Sequence, residues 1–148
     1  MTLDQTDRSL VSLLQADARL TYEELGKAVG LSAAAAYQRV RKLEDGTVLR
    51  GYYARVEPSL VGRPVLAFLH VQLGPATDLK QVLERWDGAA EVLECHAVAG
   101  EVGYLLKLRL RSLAALESHV DAARRTGCTV RSHIVTATVF ERWSIPVG

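Results

Sequence analysis

The chain has 148 residues, enough for one domain or two small ones, and at 49% hydrophobic and 24% charged it has the composition of a globular rather than a disordered protein. A formal net charge of +1 excludes coating of nucleic acid through bulk charge, and no apolar run approaches the roughly 20 residues that span a bilayer. Cys95 and Cys128 lie outside any C-x-x-C spacing and MTLDQTDRS lacks the basic and apolar regions of a signal peptide, so the expectation is free thiols and a cytoplasmic location.

Asp4 or Thr6 can cap a first helix, with Leu10, Leu13 and Leu14 as its apolar stripe and Asp17–Arg19 as its end. Thr21 and Glu24 form a T-x-x-E capping box that opens a second helix, with Leu25, Ala28 and Val29 at i, i+3 and i+4. Gly30 supplies the left-handed residue that ends it. Ser32 caps a third helix whose buried seam is Ala36, Val40 and Leu43, leaving Ala34, Tyr37, Gln38, Arg41 and Lys42 outward. Two amphipathic helices across a Gly-Leu turn, the second polar and basic outside, predict a helix-turn-helix that reads DNA.

Asp45-Gly46 is a turn signal, and VLRGYYARV (48–56) reads as one or two strands, the wing of a winged helix-turn-helix. Over residues 37–55, Arg39, Arg41, Lys42, Arg50 and Arg55 face Glu44 and Asp45, a local basic strip on a nearly neutral chain. Glu57 to Pro64 carries boundary residues. The predicted division is 1–57 for DNA binding, 58–63 as linker and 64–148 for effector sensing and oligomerisation.

The second half alternates strands and helices. VLAFLHVQL (65–73) is a strand, and Thr77 caps a helix with Leu79, Val82, Leu83 and Trp86 on one face. EVLECHAVA (91–99) and YLLKLRLR (104–111) are strands joined by a tight turn. Ser112 caps a helix with Leu113, Leu116, Val120 and Ala123 on one face, and a fourth strand falls within Val130–Arg142. The order β-α-β-β-α-β is ferredoxin-like, giving an α+β protein overall. The strands carry apolar residues on both faces while helices cover one, so a second copy of the sheet, a homodimer, is the economical cover.

Ser32, Ala33, Ala34, Tyr37, Gln38, Arg41, Lys42 and Arg50 are the candidate DNA contacts. Gln can read adenine, Arg can read guanine, and an alanine can touch a thymine methyl. Dimerisation would present two such helices to a pseudo-palindromic operator in double-stranded DNA. No metal, cofactor or catalysis is expected. Cys95 and His96 point to opposite faces of a strand, and G-x-S-x-G, P-loop and H-E-x-x-H patterns are lacking. The competing expectation is a sensing and oligomerising module that has lost DNA binding.

Asp17-Ala18-Arg19, Gly30-Leu31-Ser32, Arg39-Val40-Arg41-Lys42-Leu43-Glu44 and Gly46-Thr47-Val48-Leu49-Arg50-Gly51-Tyr52 occur in that order. This succession resembles the leucine-responsive/AsnC (feast/famine) family of transcription regulators, and the resemblance extends over nearly the whole chain. The resemblance implies a winged helix-turn-helix and a RAM-type ferredoxin-like domain. It also implies dimers that assemble further into octamers, and a small effector, commonly an amino acid, bound near a turn at contacts between dimers. ECHAVAGEVGYLLKLRL is similar to that turn region, which makes Gly100, Glu101, Val102, Gly103, Tyr104, Thr136 and Thr138 the effector-site candidates. One position departs: the family's aspartate before the aromatic residue is Gly103 here, so an amino acid's ammonium group lacks its usual carboxylate.

Overall fold

The computed structural model describes residues 2–100 and 103–147. The chain divides into two compact units, Met1–Ala54 with Val139–Gly148, and Arg55–Thr138. The terminal segment thus groups with the first unit, although its strand-like composition suggests the second.

The first unit holds α1 (Gln5–Ala16), α2 (Tyr22–Val29) and α3 (Ala33–Asp45). Two of these helices open with reciprocal capping boxes, Asp4 with Asp7 and Thr21 with Glu24, and Ser32 caps the third through Ala35 N–H. Each cap satisfies amide donors that have no helical partner. Leu10, Val11, Leu14, Leu25, Ala36, Val40 and Leu43 form one buried core. Ala28, expected in the stripe of α2, is exposed, and Val29 completes that side half-buried. Residues 139–147 return to α1: Gln15 accepts from Ile145 N–H at 2.6 Å and donates to its carbonyl at 3.0 Å, and Val147 packs on the core.

The expected wing strands are not formed. Residues 48–56 carry no strand, although their composition is strand-like. Val48 and Leu49 N–H both return to the Leu43 carbonyl as a helix-end closure, and Gly51 has φ 155°. Composition proposes a strand, but a ladder needs a neighbouring backbone, and the described residues of this chain place none beside 50–56.

The second unit contains β1 (Val65–Gln72), α4 (Leu79–Asp87), β2 (Val92–Ala97), β3 (Tyr104–Leu110), α5 (Leu113–Arg125) and β4 (Thr129–Ile134). They form an antiparallel sheet in the order β2-β3-β1-β4. Ala67, Leu69 and Val71 alternate with Leu66, Phe68 and His70, and the first set joins Leu106, Leu108, Leu110 and Val130 against Val82, Trp86, Leu116, Val120 and Ala123 of the two helices. The opposite face carries Phe68, His70, Leu105, Lys107 and Arg109, all half-buried.

Three local expectations need correction. Asp78, not Thr77, caps α4; Thr77 Oγ1 instead accepts from Gly74 N–H and donates to the Thr126 carbonyl. Leu113, in the first turn of α5, is 52% exposed, so the buried face begins at Leu116. The fourth strand ends at Ile134; Val135 N–H makes one further bond to the Leu66 carbonyl, and β1 itself begins at Val65.

Candidate DNA-reading helix and effector turn

The turn between α2 and α3 is built tightly. Gly30 adopts φ 71°, and Gly30 and Leu31 N–H both close on the Gly26 carbonyl. Gly26 is buried where a Cβ would stand 2.6 Å from the Leu31 carbonyl oxygen, so the helix needs glycine to approach its own turn. This brings α3 against α2 with one face outward. Ser32, Ala33, Ala34, Tyr37, Gln38, Arg41 and Lys42 are all exposed on it, and Arg50 is exposed after the helix end. The candidate DNA contacts are therefore gathered on one unit, the first seven of them on one helix and its cap.

The basic strip is smaller than its composition suggests. Arg39 turns inward to Asp4 at 2.6 Å and Asp7 at 2.8 Å, closing the capping box of α1 from the side. The pair ties α3 to the start of α1. Arg41 Nη1 lies 3.2 Å from Glu44 and Nη2 4.0 Å from Asp45. Lys42 and Arg50 have no ion pair among the described residues.

Three residues outside the expected set shape this surface. The Tyr22 ring meets Tyr37 edge-on with centroids 5.1 Å apart, fixing an aromatic side chain of the reading helix. Tyr52 donates to Glu44 Oε1 at 2.9 Å, and burial with the Glu44 bond pushes the phenol up to about 12. The i, i+3 spacing of Arg41 and Glu44 was visible in the sequence; the Tyr22 and Tyr52 contacts depend on tertiary approach.

On the second unit, the β2–β3 turn is closed by Val98 N–H to the Gly103 carbonyl at 3.1 Å, with Gly100 at φ 111°. Glu101 and Val102 fall outside the described residues. Tyr104 is half-buried, its ring 5.6 Å from Trp86, and a Cβ on Gly103 would sit 3.4 Å from the Val71 carbonyl, an ordinary contact. Gly100, Gly103 and Tyr104 are thus brought together.

Thr136 and Thr138 are not among them. Tyr104 pairs with Val71 in β1, whereas Ile134 pairs with Ala67. The exposed threonines leave beyond Ile134, at the other end of the sheet, more than about 13 Å along the strand from the turn. One copy cannot close a site around all five residues. A separate cavity of about 280 Å³ lies between the sheet and the two helices, with Leu69, Trp86, Leu106 and Ala123 as apolar walls and Arg85 and His119 as polar ones. No group of metal-ligand type is assembled among the described residues, and no helix among them is long and apolar enough to cross a membrane.

Residues 3–44 match the AsnC-type helix-turn-helix domain and residues 66–145 match the Lrp/AsnC ligand binding domain. The chain is 38% identical over 146 residues to the HTH-type transcriptional regulator LrpA of Mycobacterium tuberculosis, covering 97% of each chain. It is 36% identical over 117 residues to the leucine-responsive regulatory protein of Escherichia coli, covering 76% of this chain and 70% of that one. Among solved structures, a transcriptional regulator from Neisseria meningitidis in complex with L-methionine superposes with a TM-score of 0.90 at 31% identity, covering 99% of this chain and 97% of that one. The feast or famine regulatory protein of M. tuberculosis complexed with L-methionine also gives 0.90, at 36% identity, covering 97% and 99%.

Proposed function

The chain belongs to the Lrp/AsnC family of transcriptional regulators, and from that premise we propose how its two units divide the work. A dimer places two copies of α3 on a pseudo-palindromic operator. Gln38 and Arg41 read base edges, Ala33 and Ala34 permit close approach, and Lys42 and Arg50 take phosphate. The observation that carries this reading is the outward face of α3, where Ala33, Ala34, Gln38, Arg41 and Lys42 stand together and exposed beside a capped, glycine-closed turn.

Self-association is supported by what one copy leaves uncovered. Tyr53 is 86%, Leu60 85% and Val139 92% exposed, all of them outside the strands, and the sheet carries Phe68 and Leu105 away from the helices. Large apolar side chains left exposed are available to an association surface. A homodimer covers them, and dimers joining into an octamer would extend the same principle.

The effector is a small amino acid of apolar side chain, the class to which L-methionine belongs, held at Gly100–Tyr104. Because one copy separates that turn from Thr136 and Thr138, the hydroxyls are supplied by another copy. Effector binding is then coupled to assembly, as linkage requires of a ligand that prefers one assembly state.

The test is binding of the protein to its own upstream DNA and to a scrambled duplex across a salt series, with mass from light scattering, with and without L-methionine. Preferential binding with a steep salt slope, by a dimer or multiple of dimers, is expected. Lack of binding even at low salt would favour a sensing module without DNA contact. An unchanged mass and affinity with L-methionine, together with no calorimetric heat, would remove the effector assignment.

A further inference from the structure

Arg41 lies on the outward face of α3 with its side chain 52% exposed, and its Nη1 donates to Glu44 Oε2 at 3.2 Å. The other oxygen of Glu44 accepts the Tyr52 hydroxyl at 2.9 Å. Glu44 is 24% exposed and so is held at both oxygens, by α3's own arginine and by a residue eight positions further along the chain. Asp45 stands 4.0 Å from the second terminal nitrogen.

An exposed arginine on a surface helix samples many rotamers, and ordering it costs free energy that any base contact must overcome. A carboxylate fixed at one side of the guanidinium removes part of that freedom in advance. Glu44 by itself is a flexible partner; Tyr52 makes it a fixed one. The guanidinium has five N–H donors, so the one used by Glu44 leaves enough for a bidentate contact with guanine. The two carboxylates also repel phosphate, which turns Arg41 away from general backbone attraction and toward base discrimination.

We propose that Glu44 and Tyr52 are positioning residues for Arg41, forming a Tyr52–Glu44–Arg41 relay that sets sequence preference at the base pair Arg41 reads. The relay rests on the reading of Arg41 as a DNA contact given above. It makes the 48–56 segment a determinant of specificity without contact between Tyr52 and a base.

The experiment starts from a randomised duplex library, from which the unaltered full-length protein selects its preferred site. Affinities for that duplex, and for versions changed at each base pair in turn, are then measured at about 50 and 200 mM salt for Arg41→Ala, Tyr52→Phe, Glu44→Gln and the Tyr52→Phe/Arg41→Ala double variant. Arg41→Ala is expected to lose about 5- to 100-fold of discrimination at one base pair of each half-site. Tyr52→Phe loses about 3- to 10-fold at that same base pair, with an unchanged salt slope and no added effect in the Arg41→Ala background. Glu44→Gln loses the same preference and binds the scrambled duplex more tightly, one repelling charge being gone.

Thermal melting accompanies each variant. Should Glu44→Gln fail to fold, Tyr52→Phe decides, since it deletes one hydroxyl and keeps the ring. Full preference in folded Tyr52→Phe and Glu44→Gln, with Arg41→Ala impaired, overturns the relay and leaves Arg41 as a reader. Equal loss at every base pair marks a general loosening of the helix and also overturns it. Unchanged preference in Arg41→Ala removes both the reader and the relay.

Discussion

Arg39 on α3 donates to Asp7 on α1 at 2.8 Å, and Asp7 is the one charged residue that the described part of the chain buries. Its partner guanidinium also reaches Asp4, so one side chain of the reading helix locks the capping box of another helix. Arg39→Ala leaves a buried carboxylate without its counter-charge. We expect the melting temperature of the full chain to fall by about 5 °C, followed by circular dichroism, while the DNA salt slope stays as it was. A reduced slope with unchanged melting would assign Arg39 to phosphate instead.

Acid should weaken the helical unit through its caps. Backbone N–H bonds from Asp7, then Arg39, hold the Asp4 carboxyl below the usual range, and Thr21 does the same for Glu24 through its backbone and hydroxyl. A folded value below the unfolded one means stability that is present at neutral pH. It is lost as pH falls through the folded value, so the decline should begin below about pH 4. Melting curves from pH 7 to 3 test this, and Glu24→Gln should flatten the acid limb.

The Tyr52 phenol, raised to about 12 by burial and by its bond to Glu44, titrates in the opposite sense. Its contribution is complete below the unfolded value near 10 and is lost as pH rises toward 12. Ultraviolet titration should show a late component that is lost in Tyr52→Phe and moved down in Glu44→Gln. A late component that survives Tyr52→Phe would contradict the assignment.

Gly26→Ala puts a methyl group 2.6 Å from the Leu31 carbonyl oxygen and 3.1 Å from Ser32 backbone, neither of which is a flexible side-chain end. The turn must open, at about 1–3 kcal/mol. Chemical denaturation measures the loss, and weaker operator binding should accompany it because α3 is re-aimed. A variant as stable as the parent would show that the turn yields freely.

Gly103→Asp adds the carboxylate that the family resemblance expects at this position. The added Cβ meets Val71 carbonyl at an ordinary 3.4 Å, so the backbone accepts it. Calorimetry across the twenty amino acids should show binding tightened by about 10- to 100-fold for at least one apolar amino acid, the value of a charge-assisted bond. No change in a folded variant would sink the ammonium-pairing argument.

Local signals were legible because they act within one turn of chain. Thr21 with Glu24, Gly30, Ser32 and Ser112 do in the fold what their spacing says, and of Asp4 and Thr6 it is Asp4 that caps α1, since a cap needs only its own next three residues. The alternation of Leu106, Leu108 and Leu110 with Lys107 and Arg109 likewise determined which strand face is buried. The exchange of Thr77 for Asp78 is a one-residue shift to the better cap former, with the Thr77 hydroxyl bonded to the Thr126 carbonyl instead.

Tertiary structure decided what depends on distant backbone. The residues 48–56 and 135–140 have strand composition, yet a strand exists where another backbone lies alongside, and the sheet's register ends near Val65 and Ile134. The same register parted Thr136 and Thr138 from the Gly100–Tyr104 turn. Composition counted five basic residues between 37 and 55 as one strip; folding turned Arg39 to Asp4 and Asp7 and paired Arg41 with Glu44. Charge is a property of the residue, but which charges remain available to a ligand follows from which acids the fold brings within reach.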